Sequence, residues 1–393
     1  METFEPKRTF LIMTPGLISL VFGGLTGTAV MWAWAGRHLP ISTSVEQHFY
    51  LVIAGFFAAL IGNEVLNVLS FEWAGRPAGF SLNVAYAALL WATVVAVLGG
   101  NIPVAAVTYA VMLTILIYYA LRVYFKPSRI GLKPSVYNYL IVASLVSSLA
   151  FAAVAHVFKG DVGIAMLYFP VSVIFAVMSR DMPLVTGTRP GGWALNALAF
   201  ALITAAFSFW VFGAAALSGI LLIASWVVAL LASGLLRMVK KQRFFSYLKI
   251  HVAYFWMAAG GILLLLSSGR NEAVVSFPPI GGIMQVISLP GLWQDMAIHA
   301  IALGFIFNIV FGVDVVLLDM LMSQAPRKIV VKAQAGVPLM ELVTFILLNA
   351  GLLTRAAYAS AQEPLLALIS GPLTGIAIVT FLLILQIRLR KTT

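Results

Sequence analysis

The 393-residue sequence contains no cysteine, and only 9% of its residues are charged. The lack of cysteine excludes disulfides, iron–sulfur clusters, thiolate-bound haem and covalently attached c-type haem. Any metal must therefore be held by His, Met, Tyr or carboxylate side chains. A soluble chain needs about a quarter of its residues charged, whereas 62% of this chain is apolar. The sequence therefore predicts an integral membrane protein in contact with the lipid bilayer.

Acidic residues are few as well, with 13 Asp and Glu against 24 Lys and Arg. On a soluble chain the resulting net charge of +11 would suggest a nucleic-acid partner. In a membrane protein, basic residues concentrate in the cytoplasmic loops and set the orientation of the chain. We therefore assign the charge to loops and expect no nucleic-acid partner.

Apolar runs long enough to cross a hydrocarbon layer of about 30 Å predict twelve transmembrane helices and an all-α fold. The runs are separated by turn residues, such as Gly99-Gly100-Asn101. No stretch remains for a soluble domain, so residues 1–393 form one predicted transmembrane domain. The predicted helices cover residues 10–34, 46–69, 82–99, 102–124, 137–157, 162–179, 193–212, 214–236, 248–267, 296–321, 338–358 and 364–387.

The positive-inside rule supports this helix count, because twelve helices place both termini and alternate loops on one side. Only Arg37, Lys159, Arg270 and Arg355 fall on the opposite side. The prediction is a multi-pass protein of the cytoplasmic membrane with both termini in the cytoplasm. The basic residues on the cytoplasmic side are Lys7, Arg8, Arg76, Arg122, Lys126, Arg129, Lys133, Arg180, Arg189, Arg237, Lys240, Lys241, Arg243, Lys249, Arg327, Lys328, Lys332, Arg388, Arg390 and Lys391.

A cleaved signal peptide is the alternative for the N-terminus, since Lys7 and Arg8 precede an apolar run and residues 33–35 resemble a cleavage site. The run of about 25 residues exceeds the usual 7 to 15 residues of a signal peptide. We therefore expect it to remain as the first helix. The longest outer loop, residues 268–295, is a candidate cap over the outer face.

Ionisable side chains inside a membrane helix are costly and mark functional sites. Of the five histidines, His48 and His299 lie about 5 and 10 Å inside the outer ends of helices 2 and 10. His38 is predicted in an outer loop and His156 at an outer helix end. His251 stands alone at the cytoplasmic end of helix 9.

Two neutral imidazoles at matching depth on different helices can clamp a flat macrocycle as axial ligands of a b-type haem. Gly55, with Gly62 one heptad later, predicts an open face on helix 2, where a ring or another helix can approach. Ala302 and Ile306 predict a dry environment beside His299. The alternative is that the histidines are interfacial and the glycines serve helix packing.

The acidic residues indicate less. Glu64 and Asp314 are predicted near the cytoplasmic boundary, where pairing with Lys and Arg is favoured over an ion entry point. Asp319 and Glu341 are predicted at the membrane interface. Because no carboxylate is predicted at mid-bilayer, the sequence argues against a transporter built around a central acidic residue.

Three stretches resemble the NnrS family of twelve-helix membrane proteins. Residues 250–256, Ile-His-Val-Ala-Tyr-Phe-Trp, with Gly260, resemble its Leu-His-x-Gly-Tyr-x-Trp signature. Residues 179–186 resemble its Gly-Arg-x-x-Pro-x-Phe-Thr segment, and the helices of His48 and His299 resemble its other histidine helices. The resemblance implies a haem- and copper-containing protein of the nitric oxide response. It also implies a bundle like subunit I of haem–copper oxidases, with a low-spin haem between helices 2 and 10.

The departures from these families are equally informative. The later helix-10 histidine of the NnrS family is missing from residues 312–319, and so are the copper-binding histidines of the oxidases. The resemblance therefore implies one haem b, makes copper doubtful, and excludes a complete dinuclear centre. Arg355, between helices 11 and 12, corresponds to a haem-propionate-binding arginine of the oxidases. An ordinary interfacial arginine is the alternative.

His251 lies too far toward the cytoplasm to share a haem with His48. It is either a metal ligand at a separate site or, as we favour, a structural residue that packs near Tyr254 and the Arg180 loop. The two histidines together with the NnrS resemblance imply a haem b protein that handles electrons or a diatomic gas at the outer face, with a membrane or external redox subunit as an expected partner. It assigns no catalytic residue. A twelve-helix permease and a cofactor-free anchor subunit of a redox complex are the alternatives.

Overall fold

The computed structural model describes residues 6–37, 44–186, 192–237, 244–268, 274–276, 286–313 and 338–390. Within these ranges, twelve helices are long and apolar enough to cross a membrane. The predicted all-α membrane fold is therefore confirmed, and the helices lie close to the predicted apolar runs.

The helices α1 to α12 follow one another along the chain, with one short antiparallel pair of strands before α10. Strand β1 is Val274–Ser276 and strand β2 is Val286–Ser288, with Val275 opposite Ile287. The helices are α1 Pro6–Trp34, α2 Val45–Ala74, α3 Phe80–Leu98, α4 Ile102–Tyr124, α5 Val136–Val157, α6 Val162–Thr186, α7 Trp193–Val211, α8 Ala215–Ser233, α9 Phe244–Ser268, α10 289–313, α11 Pro338–Ala361 and α12 Pro364–Arg390.

The turn between α3 and α4 shows how local chemistry ends one helix and starts the next. Gly100 has φ +75°, a left-handed conformation that glycine adopts without steric cost. The Asn101 side chain then accepts a hydrogen bond from the backbone N–H of Val104 at 3.3 Å. This bond caps the first turn of α4, so the predicted break at residues 99–101 is confirmed.

One of the two largest boundary errors, of seven residues, concerns α10, which was predicted to start at residue 296 and instead starts at Leu289; the other is the end of α6, at Thr186 instead of 179. Pro290 stands in the first turn, where its missing N–H is not needed and its fixed φ suits a helix. Residues 289–295, assigned to the outer loop by sequence, thus belong to the helix.

Two helices contain π-helical segments that the sequence analysis did not anticipate. Helix α2 is π-helical over Tyr50–Phe57 and again over Glu64–Val68, and α10 over Ala300–Phe307. The π-helix hydrogen-bonds from residue i to i+5, is rare, and occurs often at functional sites. Two of these segments directly follow the helical turns that carry His48 and His299.

The chain divides into two compact units by its internal contacts, and the single transmembrane domain over residues 1–393 remains a prediction. Unit 1 comprises residues 1–30, 40–180 and 203–214, and unit 2 the remainder. In unit 1, α2 packs against α3, α3 against α4, and α4 against α5. In unit 2, α8 packs against α9, α9 against α10, and α11 against both α10 and α12.

Burial distinguishes three of the twelve helices that the structure describes. In the most apolar window of α2, α6 and α10, 78%, 83% and 78% of the residues are buried, against 33–61% in the others. An apolar helix that hides most of its surface packs against protein on several sides, whereas a half-exposed one faces lipid. His48 and His299 therefore lie on two of the three most enclosed helices.

Candidate functional site

His48 lies in the first turn of α2, at the position predicted. Ser44 and Gln47 cap this turn reciprocally, with hydrogen bonds of 3.0 and 3.1 Å. The His48 Nδ1 atom is 2.8 Å from the carbonyl oxygen of Gly23 on α1. Because a carbonyl only accepts hydrogen bonds, Nδ1 carries the proton and the neutral ring has its lone pair on Nε2. This is the tautomer of a metal-binding histidine whose other nitrogen is held by the protein.

Helix α1 approaches α2 closely through a row of glycines. A Cβ added to Gly16 would come within 2.3 Å of Ala59, and one added to Gly27 within 2.5 Å of the His48 ring. Small residues at such positions let membrane helices approach closely. The His48 ring is therefore positioned by backbone on two sides, through Gly23 and Gly27.

The open face predicted at Gly55 and Gly62 is covered by protein side chains. A Cβ on Gly55 would be 1.8 Å from the Ser19 hydroxyl of α1, and one on Gly62 would be 2.3 Å from the Tyr86 ring of α3. These two glycines serve helix packing, the alternative considered from sequence. Gly55 therefore faces α1, and Gly62 faces α3.

His299 is the last α-helical residue before the π segment of α10. Its Nδ1 atom is 2.7 Å from the Asp295 carbonyl oxygen, one turn earlier, and 3.4 Å from the Asp295 carboxylate. The same tautomer argument places the lone pair of the neutral ring on Nε2. The His299 side chain is 12% exposed.

Arg355, the predicted propionate ligand, forms a two-pronged ion pair with Asp295. The guanidinium Nε donates to Oδ2 at 2.8 Å and Nη2 donates to Oδ1 at 3.0 Å. Such parallel bonds are strong because both geometry and charge match. The structure thus gives Arg355 a carboxylate partner one turn from His299. A bond to haem propionate remains a prediction.

The depths of the two histidines along their helices differ from the expected match. His48 lies three residues after the first residue of α2, and His299 ten after the first residue of α10. At 1.5 Å per residue these are about 5 and 15 Å. The difference arises from the earlier start of α10. His48 belongs to unit 1 and His299 to unit 2.

Residues 250–256 of α9 include two aromatic side chains that pack against the π segment of α10. The Trp256 indole lies against Gly304, and the Tyr254 ring meets Phe305 edge to face at 6.2 Å. The Trp256 Nε1 donates to Asn349 Oδ1 of α11 at 2.7 Å. Asn308, which is fully buried, donates to the carbonyl of Gly304 at 2.8 Å. These contacts tie α9, α10 and α11 together next to the turn of His299.

Gly260 and Ala302 belong to the same contact region. A Cβ on Gly260 would come within 2.8 Å of Ile301, and Ala302, the next residue, is partly exposed. Ile306 is fully buried, as the predicted dry environment requires. The contacts of this helix were not deducible from the short motifs, because they join residues far apart in the chain.

His251 bonds within its own helix. Its Nδ1 atom is 2.9 Å from the Tyr247 carbonyl oxygen, and its ring is 3.9 Å from the Tyr247 ring, centroid to centroid. Through the part of the chain that the structure describes, no three His, Asp or Glu side chains gather as a metal site. The Nδ1 contact of His251 is of the same kind as that of His299, so the choice between a ligand and a structural role remains a prediction.

The structure describes only some of the remaining candidate residues. His156 is exposed at the end of α5, while His38, Arg270, Asp314 and Asp319 lie outside the described residues. Glu341 is buried in the first turn of α11, with 7% exposure, and its predicted position at the membrane interface remains a prediction. On α2, Glu72 forms an ion pair with Arg180 at 2.5 Å, and Glu64 is partly buried.

An amide network near Glu64 was missed by sequence reasoning. The Asn67 amide donates to the side-chain oxygens of Asn63 at 3.1 Å and Asn83 at 2.9 Å. All three side chains are buried. Each of these asparagines is visible in the sequence as a polar residue among apolar ones. The sequence does not show that α2 packs against α3.

No protein-family model matches the chain, and no curated protein matches it. The NnrS resemblance therefore rests on the short motifs described above.

Proposed function

We propose that this protein lies in the cytoplasmic membrane and binds one b-type haem through His48 and His299. The haem would serve to handle electrons or a diatomic gas near the outer face, in the manner of an NnrS-like protein with a bundle similar to oxidase subunit I. The observation that carries the proposal is the matching state of the two imidazoles. Both hold Nδ1 on a backbone carbonyl, which leaves the lone pair of the neutral ring on Nε2.

The donor set fits haem b better than other metal centres. Two neutral imidazoles suit haem iron, whereas a four-coordinate zinc site needs more protein ligands. The lack of cysteine excludes the thiolate and covalent types of haem protein. When bound, haem b supplies an iron that changes between two oxidation states and accepts axial ligands.

The chain's own residues would orient the two ligands and keep them dry. Gly23 and Gly27 hold the His48 ring from α1, and Asp295 holds His299 within α10. The high burial of both helices supports a low-dielectric surrounding, which helps to set a haem potential. No complete dinuclear centre is proposed, since the required additional histidines are missing from the sequence.

An absorption spectrum of the purified protein tests the proposal. Protein from a host supplied with haem is expected to show one haem b per chain, low-spin, with sharp alpha and beta bands when reduced. His48→Ala or His299→Ala should remove the haem or make it five-coordinate and high-spin.

His156→Ala is the matched control, because this exposed histidine lies at a helix end where water satisfies its ring. It should leave the spectrum unchanged. Folded, stable protein without haem would contradict the proposal and favour the permease or the cofactor-free anchor subunit.

A further inference from the structure

The loop between α4 and α5 exposes apolar and basic side chains side by side. We infer that this loop, residues 125–135, binds the headgroups of anionic phospholipids and places Ile130 and Leu132 among their acyl chains. The loop lies within unit 1, between two helices long and apolar enough to cross a membrane, which end at Tyr124 and begin at Val136. The inference concerns lipid recognition and is independent of the proposed haem.

The first step concerns the two apolar side chains of the loop. Ile130 is 74% exposed and Leu132 is 56% exposed. On a spanning helix, lipid covers side chains of this kind, but these two belong to a loop. Apolar side chains that their own protein leaves uncovered mark a contact with a membrane or with another protein. Because a spanning helix adjoins the loop at each end, the membrane surface is close to both residues.

The second step concerns charge. The loop contains Lys126, Arg129 and Lys133 and no acidic residue. All three basic residues are exposed, and none forms an ion pair with any residue that the structure describes. Glu72, at the end of α2, is paired with Arg180 instead. Each Lys or Arg beside an anionic membrane strengthens the attraction about fivefold, so the loop is suited to a negatively charged lipid surface.

The third step concerns how the loop is held. The Trp73 indole of α2 donates to the Lys126 carbonyl oxygen at 2.9 Å, and the Arg129 N–H donates to the Trp73 carbonyl oxygen at 2.8 Å. Within the loop, the Ser128 N–H donates to the Leu132 carbonyl oxygen at 2.8 Å, and the Leu132 N–H donates to the Ser128 hydroxyl oxygen at 3.0 Å. A loop that is already ordered loses little conformational entropy when it binds.

The side chain of Arg129 is positioned by the end of α2. Gly75, which follows the last residue of α2, has φ +77°, and a Cβ added there would be 2.8 Å from the Arg129 Cδ. The stem of Arg129 therefore lies against the Gly75 backbone, while the residue as a whole is exposed. A guanidinium can donate two parallel hydrogen bonds to a phosphate group. Arg129 is thus the residue of the loop best suited to a lipid phosphate.

A docking surface for a partner protein is the competing explanation, because exposed apolar side chains also mark protein interfaces. The two explanations differ in what surrounds Ile130 and Leu132 when no other protein is present. A lipid-binding loop places them in contact with acyl chains and responds to lipid charge. A protein-docking loop leaves them in water, whatever the lipid.

The test attaches a polarity-sensitive fluorescent label to Ile130→Cys in this otherwise cysteine-free chain. The full-length variant is reconstituted in vesicles of phosphatidylcholine alone or mixed with phosphatidylglycerol. With phosphatidylglycerol, the emission should shift to shorter wavelength and spin-labelled acyl chains should quench it. Added salt should reverse both changes, because it screens exposed charges. Leu132→Cys, labelled in the same way, should give the same result with Ile130 in place.

Two outcomes would overturn the inference. A label that reports water in both kinds of vesicle would favour the protein-docking explanation. A label that is quenched equally in both would show contact with lipid but no recognition of its charge. Gly79→Cys is the matched control, because Gly79 is also exposed in unit 1 and no atom lies within 4 Å of its added Cβ. Its label should give the same emission in both kinds of vesicle.

A second measurement isolates Arg129. In the labelled Ile130→Cys background, Arg129→Gln should weaken phosphatidylglycerol binding about fivefold, read from the lipid fraction at the half-maximal shift. Lys159→Gln removes the same charge from an exposed residue beyond the other end of α5 and should leave the midpoint unchanged. A folded Arg129→Gln variant with an unchanged midpoint would contradict the role of Arg129 in lipid binding. The label reports on protein with or without haem, so failure of the proposed function would leave this result unaffected.

Discussion

The His48 ring lies directly against the backbone of α1 at Gly27. A Cβ at position 27 would stand 2.5 Å from His48 Cε1 and 2.7 Å from Nδ1. Any side chain at this position would therefore move the imidazole off the Gly23 carbonyl. The orientation of the candidate ligand thus depends on a glycine 21 positions earlier in the chain.

Gly27→Ala is expected to displace the His48 ring and to weaken haem binding, because the new methyl group takes the space of the ring. The added methyl group should lower the free energy of unfolding by about 1–3 kcal/mol, as at other overpacked sites. The loss stays in this range because the ring can rotate away. Haem content and spin state of the purified variant are the measurements. Gly24→Ala is the matched control, with no atom within 4 Å of its added Cβ. A normal spectrum in Gly27→Ala would contradict the assigned position of the ring.

Asn349→Leu is expected to lower the stability of the protein by about 1–2 kcal/mol. The change removes the acceptor of the Trp256 indole N–H and a partner of Asn308. Thermal or detergent-induced unfolding measures the effect. Thr380→Val provides the control, because the Thr380 hydroxyl bonds to Ile376 of its own helix. An unfolding midpoint unchanged in Asn349→Leu would show that the network contributes nothing.

Membrane-impermeant thiol labelling tests the orientation in this naturally cysteine-free chain. A cysteine at Lys133 or near position 242 or 328 should be labelled only from the cytoplasm. A cysteine at Ser360 or in β1 near position 275 should be labelled from outside. Lys133 and Ser360 are exposed in the structure, so a thiol at either position is not covered by protein. Reversal at any of these positions would contradict the arrangement of twelve helices with cytoplasmic termini.

His251→Ala is expected to leave haem and metal content unchanged. Its ring bonds to the Tyr247 carbonyl and packs on the Tyr247 ring, so only packing is lost. Metal analysis and the absorption spectrum are the measurements, with His156→Ala treated in parallel. An experimental structure with a metal within about 2.5 Å of His251 would favour the ligand role instead.

The amino-acid sequence alone was sufficient for the all-α membrane fold and the positions of the twelve helices. Hydrophobic length is a local property, because each span must cover the bilayer with its own residues. Turn chemistry is local as well, so the break at Gly99-Gly100-Asn101 was predicted correctly. The start of α10 was not predicted correctly, since Pro290 was assigned to a loop. A proline fits a loop and a first helical turn equally well.

Only the tertiary structure decided what each candidate residue touches. From the sequence, either a ring or another helix could approach Gly55, and the structure places Ser19 of α1 there, while Arg355 forms its bonds with Asp295, 60 residues earlier. The π segments also escaped prediction, because periodicity arguments assume 3.6 residues per turn throughout. Contacts between distant segments depend on which helix faces approach each other, and no local pattern in a uniformly apolar helix specifies that choice. Hydrophobicity therefore determined which segments enter the membrane, while close packing determined the partners of His48, His299 and Arg355.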